Sequence, residues 1–336
     1  MTISVIITAF NLENYVAEAI GSVLNQTKLP DEIIVVDDCS TDETANVIQS
    51  FGNKVSYFKL PQNSGGLSAT FFGVLKAKGD VLFFLDGDDI WRFEKIKSVL
   101  PLFQQFPKMA VASHDYIRVD SNRKPLNFID DTQKNIAGIL KKFNSPEEQS
   151  NAYKDSILGK KGYWGGSAYA VRREFIDVDK FEAWKNNFAF IRNTYLDLVL
   201  PTFIIVNQPE VMIGYVPKKL FEYRIHANNT SGNKIPDVLA AKKALRMGHC
   251  TTLATYGLLN EKEKFKPYAD RQALVIKEYE YLTDIYDNKK FAAIKKFMYL
   301  SRRHWKSKQV LKEAQRLLIA TFFGPETFLH LKNKFV

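Results

Sequence analysis

At 336 residues, with 46% of them hydrophobic, the chain is long enough for one large domain or two ordinary ones, each with a substantial core. Mean hydropathy is −0.22, and the longest apolar runs, 198–209 and 317–325, fall short of the roughly 18–20 residues of a membrane span, which excludes an integral membrane protein. The net charge of +10 sits in residues 241–336, where 20 Lys and Arg face 9 Asp and Glu, and no nucleic-acid-binding motif accompanies it.

The first hundred residues alternate in kind. A β-branched run at 3–10 is followed by apolar residues at helical spacing over 14–26. A buried strand at 31–38 precedes a helix at 41–51, and an alternating strand at 54–60 precedes a helix at 65–79 that ends in Gly79. A further apolar strand at 80–85 leads to a helix at 94–106. Such alternation implies an α/β fold, a parallel sheet with helices on both faces. From 108 to 235 short strands are expected at 109–119, 165–172, 211–216 and 219–226, around a polar stretch at 120–162 read as a loop or insertion. From 236 onward the pattern is almost entirely helical. The expected domains are therefore 1–235 and a basic helical region, 236–336. Cys39 and Cys250 fit neither a disulfide framework nor a metal spacing, and no secretion signal opens the chain, which points to a reducing cytoplasm.

Ligands of parallel sheets bind at the carboxyl ends of the strands, and there the unusual polar residues fall. Thr8 and Asn11 follow the first strand, Asp37 and Asp38 the second, and Asp86, Asp88 and Asp89 the fourth, in "FLDGDDIW". Like charges this close are costly unless something positive sits among them. Asp residues without Cys or His partners suit Mg²⁺ or Mn²⁺, completed by phosphate oxygens of a substrate. A purely local reading has Asp88 and Asp89 capping the next helix and Asp86 in a turn. It leaves the second acidic pair unexplained. Neither GxGxxG nor GxxxxGK[ST] is present, which weighs against dinucleotide and P-loop sites.

The run "SVIITAFNLENYVAEAIGSVLNQTKLPDEIIVVDDCSTDET", with "NSGGLSA" and "FLDGDDIW", resembles the family 2 glycosyltransferases of GT-A fold, closely over 1–100 and more loosely to about 232. The resemblance implies a mixed sheet flanked by helices, inverting transfer from a nucleotide-diphosphate sugar, and Mn²⁺ or Mg²⁺ bridging the diphosphate to the protein. It implies Thr8, Phe10 and Asp38 at the nucleobase, Asp38 accepting from a uracil-like imide N–H. It further implies Asp86 by the ribose and metal, Asp88 as metal ligand, His226 completing the metal–diphosphate site and Arg224 neutralising phosphate. Asp89 remains as a helix cap. Trp164, in "YWGGSAYAVRREF", falls on the acceptor side, either stacking on a sugar or anchoring the core.

Two departures stand out. The family's base is the Asp of a Glu-Asp pair opening a helix, and Thr194 and Tyr195 occupy those positions. Asp197 is the nearest carboxylate and the expected base, although on a helix it would be turned by about 200° from the usual position; Asp115 is a further candidate. Thr70 and Phe71 replace an Arg-Asn pair that many relatives carry, so the usual nucleotide-contacting cation is missing. The expected role is synthesis of a surface polysaccharide such as capsule, O-antigen or lipopolysaccharide, on a glycan or lipid-linked acceptor. The alternative is a catalytically silent sugar-nucleotide-binding or scaffold protein. A nucleotidylyltransferase would want a basic, Gly-rich loop where "TAFNLENY" stands. The basic C-terminal helices, with apolar Leu311, Ala314, Leu317, Leu318 and Phe322, suit peripheral attachment to an anionic membrane or packing on a protein.

Overall fold

The computed structural model describes residues 1–126, 129–160, 165–226, 229 and 237–334, with side chains to residue 330. It divides into two compact units, Met1–Ile225 and His226–Val336.

In the first unit the predicted alternation is realised as β1 (Ile3–Ala9), α1 (Val16–Leu24), β2 (Glu32–Asp37), α2 (Thr44–Gln49), β3 (Ser56–Lys59), α3 (Gly66–Lys76) and β4 (Val81–Asp86). A two-residue strand, β5 (Ile90–Trp91), then precedes α4 (Lys95–Gln105) and β6 (Met109–Asp120). Beyond it come α5 (Asp131–Lys142), α6 (Pro146–Leu158), β7 (Ala170–Arg172), α7 (Val178–Asn186), α8 (Leu196–Asn207) and β8 (Met212–Ile225). Among the described residues the strands form one eight-stranded sheet in the order β3-β2-β1-β4-β7-β6-β8-β5.

β1 pairs in parallel with both β2 and β4, and its core residues Ile3, Val5, Ile6 and Ile7 are buried on both faces, as continuous apolar strands require. The remainder corrects the all-parallel expectation. β7 runs antiparallel to both β4 and β6, and β5 antiparallel to β8. The sheet is therefore mixed, as the resemblance implied.

Two expectations fail in detail. The stretch 120–162 holds two helices, each opened by a capping box: Asp130 with Gln133, and Ser145 with Glu148. The runs 211–216 and 219–226 are one strand, β8, bent at register shifts against β6.

The second unit is helical: α9 (Val238–Asn260), α10 (Lys266–Tyr286), α11 (Lys290–Arg303) and α12 (Ser307–Lys334), the last broken at Gly324, whose φ is +82°. Its core gathers Ala241, Tyr281, Ile285, Leu300, Trp305, Leu317 and Phe328. No described helix is long and apolar enough to cross a membrane.

Candidate active site

The β1–β4 register pairs Thr8 with Asp86, so the ends of adjacent parallel strands carry both residues to one rim. Gly87 donates its N–H to the Thr8 carbonyl at 2.8 Å, closing the turn beyond β4. Phe10, one residue past β1, is 43% exposed, an apolar ring presented to solvent at the same rim.

Asp197 joins them from the first turn of α8. Gly166 lies between its carboxylate and that of Asp86. A Cβ built on Gly166 would stand 3.5 Å from both Asp86 oxygens and 3.8 Å from Oδ1 of Asp197. The Asp197 carboxylate accepts the Gly166 N–H, and Tyr169 Oη donates to the Asp197 carbonyl at 2.5 Å, fixing that turn. The angular objection to Asp197 disappears, because α8 begins only at Leu196 and Thr194 and Tyr195 precede it in extended conformation. Helical phase does not relate those positions to Asp197.

Three carboxylates thus crowd one spot. Desolvation, then the charges of Asp88 and Asp197, push the Asp86 pKa up to about 7, although part of the residue remains open to solvent. Burial also raises the Asp197 pKa. A folded-state pKa above the ordinary 3.8 means that Asp86 holds its proton more tightly in the folded chain. Stability at this site is therefore highest below pH ~4 and falls as pH rises towards ~7. In the metal-free protein, Asp86→Asn should raise Tm relative to wild type by a margin that grows across pH 4–7 and then levels off. A pH-independent margin in a thermal-melt series would contradict it.

Beneath the rim the structure places a buried lysine that sequence reasoning missed. Lys95, fully buried, donates from Nζ to the Ser167 carbonyl and lies 3.8 Å from the Trp91 ring centroid. Trp91 Nε1 donates to the same carbonyl at 3.2 Å, and Ser167 Oγ accepts the Asp86 N–H at 3.0 Å. Burial pulls the Lys95 pKa well down, while Asp89 and Asp86 pull it back up. The signal was present in the sequence, since Lys95 falls in phase with Val99 and Phe103 on the apolar face of α4.

Asp89 is not a helix cap. β5 separates it from α4, and it is buried, its Oδ1 accepting the Arg224 N–H at 2.9 Å. Burial, then Asp88 and Asp86, raises its pKa strongly. The Arg224 guanidinium does not stand open to a diphosphate. It is buried in an ion pair with Glu18 at 3.1 Å and lies 4.8 Å from the Tyr15 ring centroid. In this structure it ties the end of β8 to α1.

At β2, both Asp38 oxygens are engaged, accepting the N–H groups of Ser64 at 2.7 Å and Gly65 at 2.8 Å, while burial raises its pKa. His226 opens the second unit with its N–H bonded to the Asn229 side chain. Trp164 lies outside the described residues.

Among the described residues no cluster of three metal-ligating side chains exists. The rim nonetheless fits a hard cation: mutually repelling carboxylates at one strand end, too few for a complete cage, leave room for phosphate oxygens.

The family model described as glycosyl transferase family 2 matches residues 4–163. Over that segment, somewhat less than half of the chain, the sequence is similar to glycosyltransferase family 2. An uncharacterized glycosyltransferase of Nostoc sp. is 37% identical over 132 residues, 38% of this chain and 40% of that protein. The poly(ribitol-phosphate) beta-N-acetylglucosaminyltransferase TarS of Staphylococcus aureus is 37% identical over 102 residues, 29% of this chain and 18% of TarS. This chain spans about two fifths of the length of the first curated relatives it matches. In structure it is similar to residues 1–349 of S. aureus TarS in complex with UDP-GlcNAc, with TM-score 0.52 and 16% identity, covering 88% of this chain and 89% of that one. It is also similar to a mannosyltransferase of Pyrobaculum calidifontis in complex with GDP-Man and Mn²⁺, with TM-score 0.53 and 13% identity, covering 99% and 86%. The fold is GT-A.

Proposed function

We propose that the protein transfers a sugar from a nucleotide-diphosphate donor, a UDP-sugar, to a hydroxyl of a glycan or lipid-linked glycan with inversion, in assembly of a bacterial-type surface polysaccharide. The observation that carries this reading is the meeting of Asp86 and Asp197 around Gly166, at the strand-end rim that also carries Asp88. Residues 1–235 would form the catalytic domain.

In this reading Thr8, Phe10 and Asp38 receive the nucleobase, with Phe10 offering its exposed ring. Asp86 faces the ribose, and Asp88 holds Mn²⁺ or Mg²⁺. Bound there, the cation would stabilise negative charge on the departing diphosphate. Asp197 accepts the proton of the acceptor hydroxyl as that oxygen attacks the anomeric carbon from the opposite side. Its raised pKa brings it nearer to working pH, where a general base is most effective. Lys95 keeps the Ser167 carbonyl, and with it the Gly165–Gly166 backbone, in place beneath both carboxylates. Arg224 supports this arrangement from behind through Asp89. Trp164 would meet the acceptor. The relatives support the same reading, since TarS is named for an N-acetylglucosaminyl transfer onto poly(ribitol-phosphate).

Incubation with Mn²⁺ and a panel of sugar nucleotides tests the proposal. Slow donor hydrolysis or transfer with one or more UDP-sugars is expected, and no turnover with any donor or acceptor would favour a silent scaffold.

We also propose that residues 236–336 dock on an anionic membrane surface. Leu311, Leu318 and Phe322 form one stripe of α12 and are 64%, 58% and 75% exposed, opposite buried Ala320 and beside Lys308 and Lys312. The full chain should co-sediment with phosphatidylglycerol vesicles and not with phosphatidylcholine vesicles, and Phe322→Asp should abolish this. Absence of wild-type binding to anionic vesicles would overturn the proposal.

A further inference from the structure

Gly21 stands in the interior of α1, where glycine weakens a helix relative to alanine. Packing does not demand it: a Cβ built there meets no neighbouring atom within 4 Å. The space left open belongs to a cavity of about 430 Å³, which falls in the range of ~300–1,000 Å³ typical of ligand clefts. One face of α1 walls the cavity, with Arg92 and Phe93 after β5, Arg123 after β6 and Glu222 of β8 opposite. All of them lie in the first unit. Asn25, one turn beyond Gly21, folds its amide back onto the Gly21 carbonyl at 2.9 Å, and Ser22 Oγ accepts the Trp91 N–H at 3.1 Å. Small or folded-back side chains thus keep this face of the helix open.

The lining is charged but balanced. Arg123 Nε donates to Glu222 Oε2 at 2.9 Å, and its guanidinium lies 3.8 Å from Glu18, which also pairs with Arg224. With Arg92, two arginines line the cavity against two glutamates, so an anionic ligand would find no surplus of positive charge. Beside them Phe93 is 58% exposed. Donor-only guanidinium groups, acceptor-only carboxylates and an open aromatic ring in one concave site suit a pyranose, whose hydroxyls donate and accept around an apolar C–H face. We propose that this pocket is a second glycan site, which holds a neutral hexose unit of the acceptor or product chain away from its reacting end. The choice of ligand rests on the glycan-acceptor reading above. The pocket shares Trp91 with the network beneath Asp86, because Trp91 lines it and donates from Nε1 to the Ser167 carbonyl at 3.2 Å. A chain held there stays close to the catalytic rim between transfers, which raises the effective concentration of its reacting end.

Calorimetric titration of the full chain with neutral tetrasaccharides of glucose, mannose, galactose and N-acetylglucosamine, and with tetragalacturonic acid as the charged control, tests this. At least one neutral tetrasaccharide should bind, and more tightly than the charged one. Gly21→Leu puts a side chain into the open space and a better helix former into α1, so it should abolish that binding while melting at or above the wild-type Tm. Phe93→Ala should weaken the binding by about 10-fold. UDP affinity in the presence of Mn²⁺ should stay that of wild type in both variants. Absence of binding to every neutral tetrasaccharide, or binding that Gly21→Leu leaves intact, would overturn the proposal. Tighter binding of the charged control would overturn the neutral ligand class. Loss of UDP affinity in both variants would merge the pocket with the donor site and overturn a separate one. Wild type that binds a neutral tetrasaccharide but no UDP would refute the nucleotide-sugar reading and leave the glycan site standing.

Discussion

Asp197→Asn is expected to lower kcat for sugar transfer by about 10²- to 10⁴-fold, the range that a positioned general base contributes, with donor affinity within a few-fold of wild type. The amide oxygen can still accept the Gly166 N–H, so the backbone between Asp197 and Asp86 keeps its anchor and only the proton acceptor is lost. The raised pKa sharpens the expectation: wild-type kcat should climb with pH through a carboxylate ionisation above the ordinary value. Single-turnover transfer assays on both proteins check it. Full activity in the variant would move the base elsewhere. Asp115, the other candidate, is engaged by Gln133 Nε2 at 2.6 Å and the Tyr116 N–H at 2.9 Å, and is poorly placed to take over.

Asp88→Ala should reduce kcat/KM by about 10²- to 10³-fold, a loss comparable to removing a main source of charge stabilisation at the leaving group. It should also abolish the Mn²⁺ dependence of UDP binding. Asp88 is suited to this role by its neighbours. Asp89 is buried and holds the Arg224 N–H, whereas Asp86 and Asp88 keep part of their surface open at the rim. Titration of UDP with and without Mn²⁺ separates metal-dependent from metal-independent affinity. Unchanged turnover and unchanged Mn²⁺ dependence in the variant would remove Asp88 from the metal site.

The parallel half of the sheet was legible because β1, β2 and β4 are continuous apolar runs punctuated by cap and turn residues, and their carboxyl ends carried the polar signature directly. The helices at 131–142 and 146–158 were not. Their apolar faces are thin, and the decisive signals are two capping boxes within a polar stretch. Asp86 and Asp88 were readable as a local pattern. The placement of Asp197 was not, because the irregular turn before α8 decides its direction and helical phase does not apply. The resemblance pointed Arg224 to phosphate; in the structure its buried guanidinium pairs with the half-exposed Glu18 on α1, some two hundred residues earlier, a contact that no local pattern shows. Lys95 bears on the question posed by three adjacent carboxylates, since its amine lies beneath them and the charges of Asp89 and Asp86 raise its pKa against the burial that lowers it.

The most direct measurement is a crystal structure with UDP and Mn²⁺ using anomalous scattering from manganese. The expected result is a manganese peak bound by Asp88 and the diphosphate, the uracil beside Asp38 and Phe10, and Asp197 facing the open acceptor side. Nucleotide bound away from the β1–β4 strand ends, or diphosphate at the rim with no manganese against any of its carboxylates, would contradict the assignment of this rim as a metal-dependent glycosyl-transfer site.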